Sequence, residues 1–530
     1  MTSKLLQDIL RDIPFHHAIN NPANPSIQAI TSDSRLVEPG TLFVAIGGGS
    51  SDGHLYIPAA IENGAVAVVG EQDLQGLEIP YLRVQNSRQF LAWLAASFYD
   101  FPARRLTMIG VTGTDGKTTT CNLLYQILLA AGIKAGLIST VNAIIGNEVL
   151  DTGFHVTTPD SLEVQKYLSK MLASGLTHVI LETTSHGWAQ YRVDACEFDI
   201  GILTNITHEH LDYHGSYENY RAAKARLFTS LAETQPKNSG NIRLGVLNRD
   251  DSSYAYLKEI APTRTISYGL TAEADIHAEN IRQTPHGVTF TAVGAQFSQP
   301  LQANLFGLYN VSNVLAAFSA AVNGLKISPE TAARGIANLE GVPGRMEQID
   351  LGQDFLAIVD FAHTPNALKV TLETSRELLA HSHLKSPSGA PGRLISVFGS
   401  AGLRDKEKRR MMAEVSMGLA DISILTAEDP RTENLDDILE EMALGARSKG
   451  GVEGSNFFRV RDRGDAIRLA LKMAHPGDLV ISCGKGHEQS MCFGTTEYPW
   501  DDRTAMKAAL AELLGIMGEE MPYLPTQKMK

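Results

Sequence analysis

The stretch LTMIGVTGTDGKTTTCNLLYQILLAAG, residues 106–132, decides how the rest of the chain is read. It opens as an apolar, partly β-branched run and closes with Leu123, Leu124, Ile127 and Leu128 recurring at helical spacing. A strand therefore passes into a helix through the short turn Gly113–Lys117. A phosphate at such a turn meets backbone N–H groups and the positive end of the helix, and the lysine adds a point charge. Thr118 is placed to offer a hydroxyl to a magnesium ion. The full pattern G-x-x-x-x-G-K-[ST] is not met, because only Thr114 and Asp115 separate the glycines. A chance glycine–lysine turn is the bland alternative; the strand-to-helix context favours nucleotide binding.

The same alternation extends outward. Strand-like THVILETTS and DIGILTNIT alternate with helical stretches between residues 105 and 338, which predicts a mostly parallel, doubly wound sheet. Around 240–305 the pattern suggests shorter strands. Residues 1–104 hold GTLFVAIGG and GAVAVVGEQ around the helical YIPAAIENG, a smaller α/β module. After LEGVPGRME a third alternation fills 339–530: FLAIVDFAH, RLISVFGSAG, DISILTAEDP and DLVISCGKG each end in small or polar residues. Ligands in open parallel sheets bind beyond the carboxyl ends of strands, so these tails are the candidate site-forming segments. SHLKSPSGAPG reads as a surface loop.

Composition narrows the classes. The 530 residues imply two to four domains, and 43% hydrophobic with 20% charged residues is ordinary for a soluble globular protein. With 46 Lys and Arg against 59 Asp and Glu, the net charge of -13 argues against a general grip on nucleic acid. Cys121, Cys196, Cys483 and Cys492 lack paired metal spacing and suggest a reducing compartment. No secretory signal and no membrane-spanning run is evident, so a cytoplasmic protein is expected.

The shortened loop G-T-x-G-K-T resembles the ATP-binding loop of the Mur ligase family. Further segments carry the same resemblance in order along nearly the whole chain: TSDSRLVEPGTLFVAIGG (31–48), TTPD (157–160), SHGWAQYRVD (185–194), TNITHEHLDYHGSYENYRAAKARLF (204–228), GLYNVSN (307–313), GVPGRME, DFAHTP (360–365) and GKGHE (484–488). They are similar to the branch that adds the third residue of the peptidoglycan stem peptide. Without the family, His208, His210, Asp212 and His214 superficially suggest a binuclear metallohydrolase, but Tyr213 stands where the last histidine would fall. His208 and His214 are read as structural.

The resemblance implies an α/β fold of three domains: 1–104 for the UDP-sugar, 105–338 with the phosphate-loop-like ATP site, and a Rossmann-like 339–530 for the amino acid. It implies that Gly113, Thr114, Asp115, Gly116, Lys117, Thr118 and Thr119 cradle ATP phosphates. Asn310, Arg345 and Asp360 would hold the rest of the nucleotide. It further implies that Glu182, His210 and Thr118 hold magnesium, and that Lys224 is carbamylated to bind a second ion. On helical spacing alone Lys224 would be a solvated lysine beside Tyr220, Leu227 and Phe228.

Ser34, Thr157, Thr158, Thr184, Gln190 and Arg192 fall where relatives bind the UDP-MurNAc-dipeptide. Arg404, Glu428, Asp429, Pro430, Arg431, Gly484 and Glu488 fall where relatives hold a diamino acid. The family's D-N-P-R appears here as EDPR, keeping Arg431; two arginines suit a ligand with more than one carboxylate. Asp115, Glu209, Phe361 and Thr184 replace the family's usual Asn, Asp, Tyr and Ser. The implied reaction is ATP-dependent amide formation through an acyl phosphate, with meso-diaminopimelate as the incoming amine and lysine or ornithine as alternatives. A monomer is expected. The rivals are a ligase of the same family with another acceptor and a nucleotide-gated binder without chemistry.

Overall fold

A computed structural model describes residues 3–526 except His16, 49–51, 151–157, 208–210, 285–286 and 382–390; the side chains of 211, 212 and 381 are likewise outside the description. Thr157, His208, Glu209, His210 and most of the expected loop SHLKSPSGAPG therefore lie outside the described residues. The chain divides into two compact units. One comprises Met1–Gly269, Glu273–Asp275 and Ala316–Ala332; the other comprises Leu270–Ala272, Ile276–Leu315 and Ala333–Lys530.

In the first unit, a five-stranded sheet runs in the order Ala18–Ile19, Tyr81–Arg83, Ala65–Gly70, Thr41–Val44, Ala29–Thr31. All its pairs are parallel except the first. Leu42, Val44, Val69 and Leu82 point into a core closed by Phe90, Leu91 and Leu94 of the helix Ser87–Phe98. That helix is capped by Asn86, which accepts from Gln89 N, and it lies against the helix Ser161–Ala173.

The central parallel strands of this unit run Ala135–Ile138, His178–Glu182, Thr107–Thr112, Ile200–Leu203, Leu244–Asn248, Arg264–Gly269. Almost every side chain along them is buried, as expected for strands covered on both faces. Thr107–Thr112 leads through the helix Lys117–Ala130 to one side of the sheet, and Ile200–Leu203 leads to the other. That reversal leaves a crevice at the carboxyl ends of these two neighbours, where ligands bind in open α/β sheets.

In the second unit, six strands run Glu347–Gln348, Leu356–Asp360, Leu479–Cys483, Leu394–Phe398, Ile422–Leu425, Phe457–Arg459, all parallel except the first pair. Their carboxyl ends emit DFAH, GKGHE, GSAGLR and TAEDPR, the four tails the sequence singled out. The same unit holds an antiparallel ribbon, Ile276–Thr284, Gly287–Gly294 and Phe297–Ala303. Its strands of nine, eight and seven residues correct the expectation of shorter strands. Alternate polar residues such as Thr289, Thr291 and Gln299 interrupt the apolar runs, because one side of each strand need not be buried. Among the described residues no helix is long and apolar enough to cross a membrane.

Candidate active site

The loop after Thr112 is stitched to the adjacent strand end. Thr114 N donates to the Asn205 carbonyl (2.8 Å) and Asp115 N to Asn205 Oδ1 (2.9 Å). Thr204 Oγ1 (2.6 Å) and Asn205 Nδ2 (3.1 Å) both donate to the Asp115 carbonyl. Thr114 Oγ1 contacts Tyr220 OH at 2.9 Å and accepts from Thr207 N at 3.0 Å. A Cβ on Gly113 would sit 1.8 Å from Thr204 Oγ1, so only glycine permits this approach. Gly116, at φ +80°, turns the chain into the helix. Thr204 and Asn205 were quoted within a resembling segment but given no role; their signal was their place at the end of the strand beside Thr107–Thr112.

Two lysines converge on this turn. Lys117 Nζ donates to the Thr114 carbonyl (2.7 Å), and Lys224 Nζ donates to the Gly113 carbonyl. Lys224 is buried, with its amine 4.6 Å from the centre of the Tyr220 ring, which corrects the solvated-helix reading. Its helix Tyr217–Ser230 carries Tyr220, Lys224, Leu227 and Phe228 on one buried face.

Glu182 ends its strand beside Val111 and is buried. Thr118 Oγ1 donates to both of its oxygens, at 3.0 and 3.2 Å, while Thr140 donates through N (3.0 Å) and Oγ1 (2.9 Å). A hydroxyl and a carboxylate beneath a phosphate loop are oxygen donors of the kind magnesium takes, which keeps most of its shell for water and phosphate. Among the described residues no group of three His, Cys, Asp or Glu side chains gathers around one point. The fit to magnesium thus rests on Thr118 and Glu182.

Thr158, Thr184, Gln190 and Arg192 form one hydrogen-bonded group. Thr158 Oγ1 contacts Thr184 Oγ1 (3.1 Å), and Thr184 caps the helix Ser185–Ala189. Arg192 Nη1 donates to the Thr158 carbonyl (2.7 Å), and its Nε and Nη2 both donate to Gln190 Oε1. Gln190 in turn donates to Tyr213 OH at 3.3 Å. Burial pulls the Arg192 guanidinium below its ordinary range. Ser34 opens the single turn Ser34–Leu36, whose cap Asp33 accepts from Arg35 N.

In the second unit, Asn310 Nδ2 donates to the Phe306 carbonyl (2.7 Å) and Asn310 Oδ1 accepts from Asn313 (2.9 Å). Asp360 is buried and accepts from Met346 N (2.8 Å), Ala362 N (2.8 Å) and Thr371 Oγ1 (3.1 Å). Burial raises its pKa against the pull of Arg345 and these donors. The Arg345 guanidinium lies 4.4 Å from the centre of the Phe361 ring, so the aromatic contact survives the loss of a hydroxyl.

The segments from 428 and 484 interlock. Lys485, fully buried, donates to both Asp429 oxygens (3.0 and 3.2 Å) and pairs with Glu488. Cys492 N donates to Asp429 Oδ1 at 2.9 Å. Asp429 and Arg431 adopt left-handed backbone, φ +40° and +54°, around Pro430, whose carbonyl would lie 2.0 Å from a Cβ on Gly402. Arg404 is exposed two residues further on.

Glu428 Oε2 is buried without a hydrogen-bond partner among the described residues, and a Cβ on Gly484 would approach it to 2.3 Å. Burial pushes Glu428 up to about 7 against the pull of Lys408, Arg463 and Lys485. Below these loops Arg463 is fully buried: it pairs with Asp502 at 2.6 Å and donates to the carbonyls of Ala427 and Cys483. Neither Lys485 nor Arg463 was singled out from sequence; GKGHE contained the first, and nothing local marked the second.

A phosphate loop at the switch point of a parallel sheet, with two lysines and a threonine–glutamate pair, is the apparatus of a nucleotide-using α/β enzyme. The chain matches the Mur ligase middle domain over residues 111–321, the Mur ligase glutamate ligase domain over 344–486 and the Mur ligase family catalytic domain over 26–99. It is 41% identical over 519 residues to a UDP-N-acetylmuramyl-tripeptide synthetase of Roseiflexus sp. (strain RS-1), covering 96% of this chain and 99% of that one. It is 38% identical over 512 residues to a UDP-N-acetylmuramoyl-L-alanyl-D-glutamate--2,6-diaminopimelate ligase of Geobacillus thermodenitrificans (strain NG80-2), covering 96% and 99%. A solved structure of a ligase with that same name matches at TM-score 0.64 and 29% identity, over 97% of this chain and all of the other. The chain belongs to the Mur ligase family.

Proposed function

We propose that the protein is an ATP-dependent, ADP-forming ligase that adds meso-diaminopimelate to UDP-N-acetylmuramoyl-L-alanyl-D-glutamate in peptidoglycan precursor synthesis. The observation that carries the ligase reading is the convergence of Lys117 and Lys224 on one glycine turn whose next threonine, Thr118, sits on Glu182. In this reading 1–104, 105–338 and 339–530 are the modules for UDP-sugar, ATP and amino acid. The protein acts as a cytoplasmic monomer.

Phosphoryl transfer is chiefly positioning and charge stabilisation. The backbone N–H groups from Gly116 to Thr119 and Lys117 hold the β- and γ-phosphates, with Gly113, Thr114 and Asp115 shaping the turn through Asn205, and Arg345 and Asp360 hold phosphate and ribose. Asn310 contacts the same nucleotide. Thr158, Thr184, Gln190 and Arg192, with Thr157 and Ser34, orient the acceptor so that its D-glutamate side-chain carboxylate attacks the γ-phosphate. The incoming amine then displaces phosphate from the acyl phosphate. Thr118, Glu182, His210 and the carbamate form of Lys224 would hold magnesium, which when bound would offset the repulsion between triphosphate and carboxylate. A buried amine beside the loop is the group to take up carbon dioxide.

Arg431 and Arg404 select a second carboxylate on the amino acid, which favours diaminopimelate. Glu428 offers a buried, unpartnered oxygen suited to the side-chain ammonium that diaminopimelate and L-lysine both carry, so the arginines alone separate the two readings. Phosphate release assayed with ATP, the UDP-linked dipeptide and a panel of amino acids tests both. Release that requires all three substrates and is fastest with meso-diaminopimelate is expected. ATP binding without turnover would break the ligase reading, and a strong preference for lysine would break the choice of substrate.

A further inference from the structure

Three segments assigned above to two different ligands touch within the second unit. Arg345 and Asp360 belong to the nucleotide, Gly484 and Glu488 to the amino acid. A Cβ on Gly344 would lie 2.2 Å from His487 N and 2.3 Å from Gly486 C. One on Gly486 would lie 2.7 Å from Phe361 Cβ and 2.8 Å from the Gly344 carbonyl oxygen. Met346 N donates to Asp360 at 2.8 Å, closing the triangle. No side chain fits between these backbones, so a shift of one segment is transmitted to the others.

His487 sits where they meet. It is 6% exposed, and its Nδ1 has no hydrogen-bond partner among the described residues, an arrangement that asks for a reason. Its ring packs 4.8 Å from Phe361, which also receives the Arg345 guanidinium and, at 4.5 Å, the ring of His363. Burial, followed by the charges of Arg345, Arg503 and Lys485, holds the imidazole well below its ordinary range and therefore neutral. A neutral ring accommodates the neighbouring cation on Phe361; an imidazolium would repel it.

We infer that His487 is a positioning residue that couples the nucleotide subsite to the amino-acid subsite through the Phe361 ring, so that filling one tightens the other. The inference rests on the proposed function. Coupling of this kind is reciprocal, which supplies the test. KM for ATP and KM for meso-diaminopimelate are measured, with Tm, for wild type, His487→Gln, Phe361→Leu, the double variant and Phe361→Tyr.

His487→Gln is expected to raise KM for ATP about 5- to 10-fold although it lies in the amino-acid loop. Phe361→Leu is expected to raise KM for diaminopimelate by a similar factor, and the double variant by less than the product. Phe361→Tyr keeps the ring and should keep the coupling, so that ATP still lowers KM for diaminopimelate in it by the wild-type factor. Variants that each move only the KM of their own segment's ligand, a multiplicative double variant, or losses confined to kcat would overturn the inference. If His487→Gln does not fold, Phe361→Leu decides it by its effect on KM for diaminopimelate. A wild type that releases no phosphate breaks the functional reading; a wild type that turns over without any cross-effect in the variants breaks the coupling alone.

Discussion

Around Gly113–Thr118 the loop is stitched to its neighbours by Thr204, Asn205, Thr207 and Tyr220, neutral donors and acceptors, with Lys117 and Lys224 donating to two of its carbonyls. Around Glu428–Arg431 the loop is held by Lys485 between two carboxylates, with left-handed backbone at Asp429 and Arg431. Both loops leave the carboxyl ends of parallel strands, yet one is stitched mainly by neutral hydroxyl and amide groups and the other by an ion-paired lysine beside Glu428, whose pKa burial pushes up to about 7. The difference teaches where pH and ligand identity should be felt. In the proposed function the phosphate turn is shaped mainly by neutral groups, and the choice of amino acid is entrusted to charge.

The contrast would break most visibly at Lys224, which with Glu182 is a buried ionisable group beside the loop. Lys224→Ala should lower kcat about a hundredfold or more, the scale of losing one aligned electrostatic group in a transition state. Activity of the wild type should fall in bicarbonate-depleted buffer and return on addition. A variant near the wild-type rate would remove the carbamate from the mechanism.

Arg431→Ala sharpens the other side. Losing one charged contact to a carboxylate is worth about 1.5–3 kcal/mol, so KM for meso-diaminopimelate should rise about 10- to 100-fold while KM for ATP holds. An equal rise in both would mean that the loop carries no selectivity.

Glu428 supplies the pH test. Its carboxyl holds its proton more tightly when folded, about 7, than its ordinary value of 4.5. Its contribution to stability is thus full below 4.5 and is lost as pH rises through about 7. Ligand binding runs the opposite way: the carboxylate that would receive an ammonium forms only as pH rises through that range. KM for the diamino acid should fall about tenfold per pH unit below the transition and then level off. Glu428→Gln should flatten that slope and raise Tm above pH 7. A wild-type profile without this inflection would detach Glu428 from the ligand.

The smallest effect is expected at Thr204→Val, which removes a neutral hydroxyl shared between the Asp115 (2.6 Å) and Thr112 (3.3 Å) carbonyls. About 0.5–1.5 kcal/mol, or up to roughly tenfold in kcat/KM for ATP, is the scale, with no change in pH dependence. A pH-dependent loss there would erase the distinction between the two loops.

Much of this was legible in the sequence. The runs TMIGVTG, HVILE and DIGIL read as strands of one parallel sheet, and the four polar tails after residue 339 read as strand ends. Lys224 was the harder residue: on spacing alone it reads as a solvated lysine beside Tyr220, Leu227 and Phe228, and only the Gly113 carbonyl it meets across the fold explains its burial. Thr204 and Asn205 act through a neighbouring strand, and Arg463 reaches Asp502 across 39 positions. Such pairings depend on sheet order, which no local pattern encodes.

Arg463 ties the root of the 428–431 loop to the root of the 484–488 loop by giving one guanidinium to the carbonyls of Ala427 and Cys483. The gauge between the two roots is set by one rigid plane, independent of what the loop tips contain. For an engineer this makes the tips exchangeable within limits: substituting 428–431 from a relative with another amine preference should redirect the enzyme, provided Arg463 and Asp502 are left in place and position 429 still pairs with Lys485.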